Sequence, residues 1–475
     1  VYLYWKNRNN KPQPKARFQE LPVVTVQLPM FNEKFVVDRL LESVAALDYP
    51  QDKLEIQILD DSTDDTTEQC YRKVEELKSR GFDAVCIHRT DRTGFKAGAL
   101  EAATKVAKGE FLLILDADFV PEPDLLQKTI HFFTDENVGL VQTRWGHINR
   151  EYNLLTRIQG MYLDGHFAME QTARNRSGRF FTFNGTAGIW RKCVIGDAGG
   201  WSHDTLTEDM DLSYRVQLRG WRFIYLNDVV TPAELPVDMD GFKSQQHRWT
   251  KGSIQVCQKI LLDIWRSNAP LKAKVEATTH LTCNYSYLLL ALLCFLVYPI
   301  CTQRIPENET VFMWFVNVAL FFMTSVAVCI FYMSAQIVVR PKSWWKELPY
   351  LPLLLTLSVG MAVNNAKAVL EAIFGHQSAF VRTPKYGVDR KEDRRHVSQL
   401  KRNGYRAIKS VVIPVLEIAC GTFFLNLIII MIRQGHYLSP ILMIPFLGFY
   451  YTGFCSLGRM ISNLLPAKQT AKAKN

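Results

Sequence analysis

The sequence has no Cys-x-x-Cys pair among its ten cysteines, which removes the usual spacing of a structural zinc site or a dithiol redox centre. Cys283, Cys294, Cys329, Cys420 and Cys455 fall in apolar runs, where a thiol behaves as a small apolar side chain. No signal peptide is visible in this stretch of sequence. The chain starts at Val1 rather than at methionine. Val1-Tyr2-Leu3-Tyr4-Trp5, followed by Lys6 and Arg8, reads as the cytosolic end of an earlier span, so one or more spans are expected upstream. A third scarcity is local: beyond about residue 280, charge disappears from runs too long for a soluble helix, whereas before it apolar and charged segments alternate.

What is present fits a soluble domain fused to a membrane domain. A chain of 475 residues, 48% hydrophobic and 21% charged, can bury more than one core. Its net charge of +10 would suit nucleic acid, but the basic residues beyond the soluble half flank the apolar spans, the ordinary signal of membrane topology. No nucleic-acid partner is expected.

Residues 9–19 are a polar, proline-containing linker. Buried strands are predicted at 23–28, 54–59, 84–88 and 111–115, with helical patterns between them, and this alternation predicts an α/β fold with a mostly parallel sheet. In such sheets ligands gather at the carboxyl ends of the strands. The acidic clusters fall at those ends: Asp60-Asp61 closes the second strand and Asp116-Ala117-Asp118 the fourth. Paired carboxylates on tight turns are hard oxygen donors suited to Mg²⁺ or Mn²⁺ bridging a diphosphate, although a lone Asp-x-Asp is more often a solvated loop. Lys96, in Gly94-Phe95-Lys96-Ala97-Gly98 at a helix start, is placed to meet a phosphate. Further on, Phe183-Asn184-Gly185-Thr186 has the mixture of aromatic and small residues that lets backbone approach a ligand. Thr207-Glu208-Asp209 opens another helix. Its acids could simply complement the helix dipole, or one could take a proton from an attacking hydroxyl. Gln245, Arg248 and Trp249 offer an amide, a fixed cation and an aromatic face, which suit a sugar diphosphate as well as a membrane edge.

Taken in order, Asp60-Asp61, Asp116-x-Asp118, Thr207-Glu208-Asp209 and Gln245-x-x-Arg248-Trp249 strongly resemble the processive inverting glycosyltransferases (family 2) of the cellulose synthase superfamily. Asp116-Ala117-Asp118-Phe119, Phe183-Asn184-Gly185-Thr186-Ala187-Gly188 and Glu208-Asp209-Met210-Asp211 look especially like plant cellulose synthase-like mannan synthases and xyloglucan-backbone glucan synthases. The resemblance implies a GT-A type domain in which Phe31, Glu33, Asp60 and Asp61 hold the nucleotide and Lys96 lies near the diphosphate. It implies Asp116 and Asp118 as metal ligands for Mg²⁺ or Mn²⁺, Asp209 as general base, and Gln245 and Arg248 on the diphosphate. Trp249, Glu208, Asn184, Gly185 and Thr186 would border the acceptor. Phe119 departs from the histidine of bacterial cellulose synthases. Phe380-Val381-Arg382-Thr383-Pro384-Lys385 is similar to their gating loop, so Arg382 and Lys385 are expected on phosphate.

Uncharged runs at 281–302 and 311–339 are each long enough for a core about 30 Å thick, and 410–432 and 437–457 are two further candidate spans. The stretch 348–374 carries Lys367 and Glu371 and is expected to lie in-plane or re-enter. Glu417, inside a span, should face protein or a wet channel. The expected layout is therefore an upstream-span end and linker (1–19), a cytosolic glycosyltransferase domain (20–250) and an interface helix (251–280). Two spans with an in-plane helix (281–371), a basic cytosolic gating-type loop (372–409), and two spans with a cytosolic tail (410–475) follow.

The expected activity is polymerisation of hexose, from UDP-glucose first or GDP-mannose second, into a β-linked, β-1,4 glycan that is passed across the membrane. The alternatives are a single-transfer enzyme making a glycolipid and a nucleotide-sugar-binding receptor or scaffold. Expected partners are the nucleotide sugar, the growing glycan and the lipid of a plasma, inner or Golgi membrane.

Overall fold

The computed structural model describes residues 1–302, 326–377, 383, 385–388, 411–434 and 440–464. Arg382, part of the second expected span (311–325), most of the basic loop (389–410) and the tail 465–475 lie outside the described residues.

Seven strands form one sheet in the order β3-β2-β1-β4-β6-β5-β7. They are β1 (Val24–Met30), β2 (Leu54–Asp60), β3 (Asp83–His88), β4 (Phe111–Ile114), β5 (Val138–His147), β6 (Gly188–Arg191) and β7 (Arg222–Ala233). β2 and β4 are buried along their whole length, as continuous apolar strands are when both faces of a parallel sheet are covered. Helices Val37–Ala45 and Thr66–Ser79 cover one face, where Leu40, Leu41, Val44 and Val74 pack on Val26, Ile56 and Leu113. Helices Phe95–Val106 and Glu208–Leu218 cover the other through Leu100, Ala103, Leu212 and Val216.

The sheet is parallel except at β6, which runs antiparallel to both β4 and β5. That reversal positions the site. Six strands end at the carboxyl edge of the sheet, but the chain enters β6 there, so Asn184, Gly185 and Thr186 reach the same edge as Asp61 and Asp116.

A 28-residue helix, Met239–Arg266, joins this domain to the apolar half. The boundary expected at 250 falls inside it, because no proline or cap interrupts the helical run. Lys243, His247 and Lys251 lie four residues apart and therefore on one face. Each is tied to the apolar half. Lys243 Nζ lies 2.5 Å from Glu417 Oε2 and also donates to Ser456 Oγ (2.9 Å) and the Thr452 carbonyl (3.0 Å). His247 Nε2 and Lys251 Nζ each lie 3.1 Å from Glu371 Oε2. At the start of the helix, Arg459 pairs with Asp238 and Asp240. Glu417 is fully buried against this face, so it faces protein, as its place in an apolar run requires.

Among the described residues two helices are long and apolar enough to cross a membrane, Leu271–Pro299 and Val412–Arg433. The first starts within the segment expected as an interface helix. A third possibility is the pair Trp344–Gly360 and Ala362–Ile373, bent by 40°, where an in-plane or re-entrant helix was expected. Val326–Val339, the described part of the second expected span, is a shorter apolar helix. The fourth expected span falls in helix Pro440–Leu464, which packs along Val412–Arg433 and is not among the two.

Candidate active site

A cleft of about 180 Å³ opens at the carboxyl edge of the sheet. Phe31 and Glu33 reach it from the turn after β1, Asp61 from the turn after β2, and Asp116 and Asp118 from the turn after β4. Glu208 and Asp209 enter at the first turn of Glu208–Leu218. Asp211 turns away, its carboxylate paired with Arg215 (2.7 Å) and Lys259 (2.9 Å). Gln245, Arg248 and Trp249 complete the wall from the long helix. Their i, i+3, i+4 spacing puts them on one face. At 100° per residue that face lies opposite Lys243, His247 and Lys251.

Close packing brings these parts together. Gly252 lies where a Cβ would meet Thr207 Oγ1 at 2.7 Å, so only glycine lets the long helix pack against the loop carrying Glu208 and Asp209. Gly185 has φ +80°, and a Cβ there would stand 3.1 Å from Asp209 Oδ2. Among the described residues, the three non-glycine residues with positive φ, Asn32 (54°), Phe95 (48°) and Ala187 (56°), all lie at this edge of the sheet. Such conformations cost about 1–3 kcal/mol each and are typical of functional sites.

The electrostatics are dominated by two lysine–aspartate pairs. Lys96 Nζ lies 2.5 Å from Asp116 Oδ1 and donates to the Gly185 carbonyl at 2.9 Å. Burial opposes the Lys96 charge, but Asp116, Glu208 and Asp209 outweigh it and raise its pKa. Lys385 Nζ lies 2.6 Å from Asp118 Oδ2 and from the Glu234 carbonyl, while Tyr386 N and Val388 N donate to the Glu234 carboxylate. Lys385 and Thr383 are thereby folded into the cleft wall. Burial, with the neighbouring Glu208 charge, pushes Asp209 up to about 7. Burial also lowers the Arg248 pKa against the pull of Glu208, Asp116 and Asp209, but an arginine remains charged at any working pH. The donor chemistry suits a divalent cation: two carboxylates from one turn, each already drawing an ammonium group, with a diphosphate and water to supply the remaining oxygens. Among the described residues no third Asp, Glu, His or Cys joins them.

Two expected residues do not reach the cleft. Asp60 is fully buried, accepting from Ser62 N (3.0 Å) and Thr67 Oγ1 (2.7 Å) and pairing with His88 Nδ1 (2.7 Å). It shapes the turn that presents Asp61, which Arg89 grips through both oxygens. Thr186 is also fully buried, and its Oγ1 accepts from Asp116 N at 2.8 Å. It positions the Asp-x-Asp turn rather than the acceptor. Phe119 is buried with its ring 5.2 Å from Trp145, so it packs as an apolar residue beside the acidic turn.

The sequence assigns no role to several lining residues, although Arg92 opens the Arg92–Gly98 stretch that carries Lys96. Arg92 stacks its guanidinium 3.4 Å from the Phe31 ring centre, closing the side of the cleft where Phe31 lies. Trp145, with its ring centre 6.5 Å from that of Trp249, extends the aromatic surface. His147 lines the cleft beside them with Nε2 buried and without a hydrogen-bond partner, and burial lowers it to about 4, so it is a neutral imidazole there.

The sheet order, the single reversed strand and the Asp-x-Asp turn after β4 define the GT-A glycosyltransferase fold. Among solved structures, the mannosyltransferase PcManGT from Pyrobaculum calidifontis, in complex with GDP-Man and Mn²⁺, superposes with a TM-score of 0.55 at 20% identity, over 79% of this chain and 95% of that one. The profile "Glycosyltransferase like family 2" matches residues 22–252 and the profile "Cellulose synthase" matches residues 188–435. The chain belongs to the cellulose synthase family. Similar curated proteins are Glucomannan 4-beta-mannosyltransferase 2 of Arabidopsis thaliana, 42% identical over 56% of this chain and 52% of its own length, and Glucomannan 4-beta-mannosyltransferase 1 of Oryza sativa subsp. japonica, 40% identical over 57% and 53%. The chain thus spans about half the length of the curated relatives it matches.

Proposed function

We propose that this protein is a membrane-bound, inverting glycosyltransferase that extends a β-1,4-linked mannan-type polysaccharide from GDP-mannose. The observation that carries this reading is Asp209, a buried carboxylate with its pKa raised to about 7, lying in the same cleft as the Asp116–Asp118 turn and Trp249. A group with that pKa is half ionised at neutral pH and is well matched to taking a proton from a sugar hydroxyl. Trp249 and Trp145 offer the apolar face on which the acceptor ring stacks, and Asn184 with the Gly185 backbone borders its reacting end. Phe31, Arg92, Glu33 and Asp61 bound the nucleotide side. Lys96, Arg248, Gln245 and Lys385 are cations and an amide available to the diphosphate. Asp116 and Asp118 would hold Mn²⁺ or Mg²⁺, which when bound neutralises charge on the leaving diphosphate. In-line attack by a hydroxyl deprotonated at Asp209 inverts the anomeric carbon, so an α-linked donor yields a β-linked product.

The donor order differs from the sequence expectation. The names of both curated relatives are mannosyltransferases, which favours GDP-mannose over UDP-glucose. Passage of the product across the membrane, with the catalytic domain on the cytosolic side, is the reading that joins the cleft to the apolar helices through one rigid element. The test incubates purified protein with labelled GDP-mannose or UDP-glucose and digests the product with linkage-specific glycanases. A β-mannanase-sensitive polymer formed from GDP-mannose supports the proposal. A glycolipid product or a polymer made only from UDP-glucose overturns it, and absence of nucleotide release with either donor leaves the scaffold reading.

A further inference from the structure

Away from the cleft, a cavity of about 470 Å³ lies where helix Tyr2–Asn7, strands β5 and β7, and the end of the apolar helix Val326–Val339 meet. It is separate from the proposed sugar site. Arg144 lines it, whereas its neighbour Trp145 lines the cleft, as alternation along a strand requires.

The charge on its walls is unbalanced. Arg8, Lys11, Arg144 and Arg176 face a single carboxylate, Asp228, and Lys11 takes that at 2.8 Å. Among the described residues none of the three arginines has a carboxylate within ion-pair distance. Arg144 Nε donates to the Asn227 carbonyl at 2.9 Å and Arg176 Nη1 to the Arg8 carbonyl at 2.5 Å, contacts that aim the guanidinium groups without neutralising them. Arg176 Nε is buried with no hydrogen-bond partner. Planar guanidinium groups pair bidentately with phosphate oxygens, so three of them around one cavity call for a phosphate. The remaining wall is apolar, formed by Ile337, Val338 and Val339. Beside it stands Trp5, 36% exposed, with the Arg8 guanidinium 5.0 Å from its ring centre. An exposed tryptophan and arginines at the end of an apolar helix are the composition of a membrane–water boundary.

We propose that this cavity binds the phosphate headgroup of an anionic membrane lipid, with Arg8, Arg144 and Arg176 on the phosphate and the lipid chains along residues 337–339. A soluble phosphate ester would satisfy the arginines but leave the apolar wall uncovered. The test titrates the purified full chain in neutral detergent with dioctanoyl phosphatidate, dioctanoyl phosphatidylcholine or inorganic phosphate, read by calorimetry. Phosphatidate is expected to bind at least about tenfold more tightly than phosphatidylcholine, and Arg144→Gln/Arg176→Gln to weaken it by about tenfold or more. Asp228→Asn removes the cavity's carboxylate and is expected to tighten binding, a gain that misfolding cannot imitate. Equal affinity for the two lipids, or an unchanged Kd in both variants, overturns the proposal. Inorganic phosphate binding as tightly as phosphatidate overturns the lipid assignment in favour of a soluble phosphate.

Discussion

Lys243 and Glu417 stand 174 positions apart in the chain and meet as a fully buried ion pair, Nζ to Oε2, at 2.5 Å. Lys243 belongs to the helix that carries Gln245, Arg248 and Trp249, and Glu417 to one of the two helices that, among the described residues, are able to cross a membrane. Removing one partner leaves the other charge buried and uncompensated, a loss of about 3–5 kcal/mol, whereas replacing both with apolar residues of similar volume is often neutral. Glu417→Ala is therefore expected to lower the thermal unfolding midpoint strongly, and Lys243→Met/Glu417→Leu to recover most of it. Equal unfolding midpoints for the single and double variants would sink this account.

Asp209 has to be ionised to act as a base. With its pKa raised to about 7, the transfer rate is expected to fall as pH drops through about 7 and to level off above it. Asp209→Asn should lower the rate by about 10² to 10⁴ while leaving donor affinity intact. The same shift has a consequence for stability. A raised carboxylate pKa means that the folded chain holds a proton the unfolded chain has already released, so stability falls as pH rises from the ordinary carboxylate range to about 7. Unfolding midpoints of wild type and Asp209→Asn measured from pH 5 to 8 should therefore diverge in favour of the variant as pH rises.

Asp116 and Asp118 each draw a lysine, so their demand for positive charge is visible in the fold itself. Chelation by EDTA is expected to reduce nucleotide release to background and excess Mn²⁺ to restore it. Asp116→Asn/Asp118→Asn should stay inactive at any Mn²⁺ concentration, and undiminished release in EDTA would remove the metal from the reaction.

Trp249 should matter more to the glycan than to the donor. Loss of an aromatic stacking surface is worth about 0.5–1.5 kcal/mol, up to about tenfold in affinity. Trp249→Ala is expected to give shorter products at unchanged donor affinity, read by sizing the labelled glycan.

Gly185→Ala combines a left-handed backbone with a methyl group 3.1 Å from Asp209 Oδ2. A cost of about 1–3 kcal/mol in stability is expected, together with a lower rate. A variant with wild-type melting and rate would show that this approach is unimportant.

Much of this arrangement was legible because its chemistry sits at strand ends. An apolar run stopping at Asp60-Asp61 or Asp116-Ala117-Asp118 announces both a strand and what lies at its carboxyl edge, and the i, i+3, i+4 spacing of Gln245, Arg248 and Trp249 survives as one helix face. What was hidden is orientation and long-range partnership. Two adjacent aspartates on a turn look alike in sequence, yet Asp61 faces the cleft while Asp60 is spent on Ser62, Thr67 and His88. Thr186 belongs to the same motif as Asn184 but turns inward to hold Asp116. His147 and Glu234 carry no motif, since what distinguishes them is burial beside residues distant in sequence. The reversal of β6 was equally invisible, because a short apolar run has no direction.

The helix from Met239 to Arg266 has no joint. One side lines the proposed sugar site and the other is tied to Glu417 and Glu371, so the surface offered by Trp249 is anchored to the apolar half. On the proposed function the bench is bolted down and the workpiece moves: after each addition the glycan would slip forward by one residue past a stationary indole. Spacing between successive additions would then be set by the length of a sugar unit rather than by the stroke of a protein part.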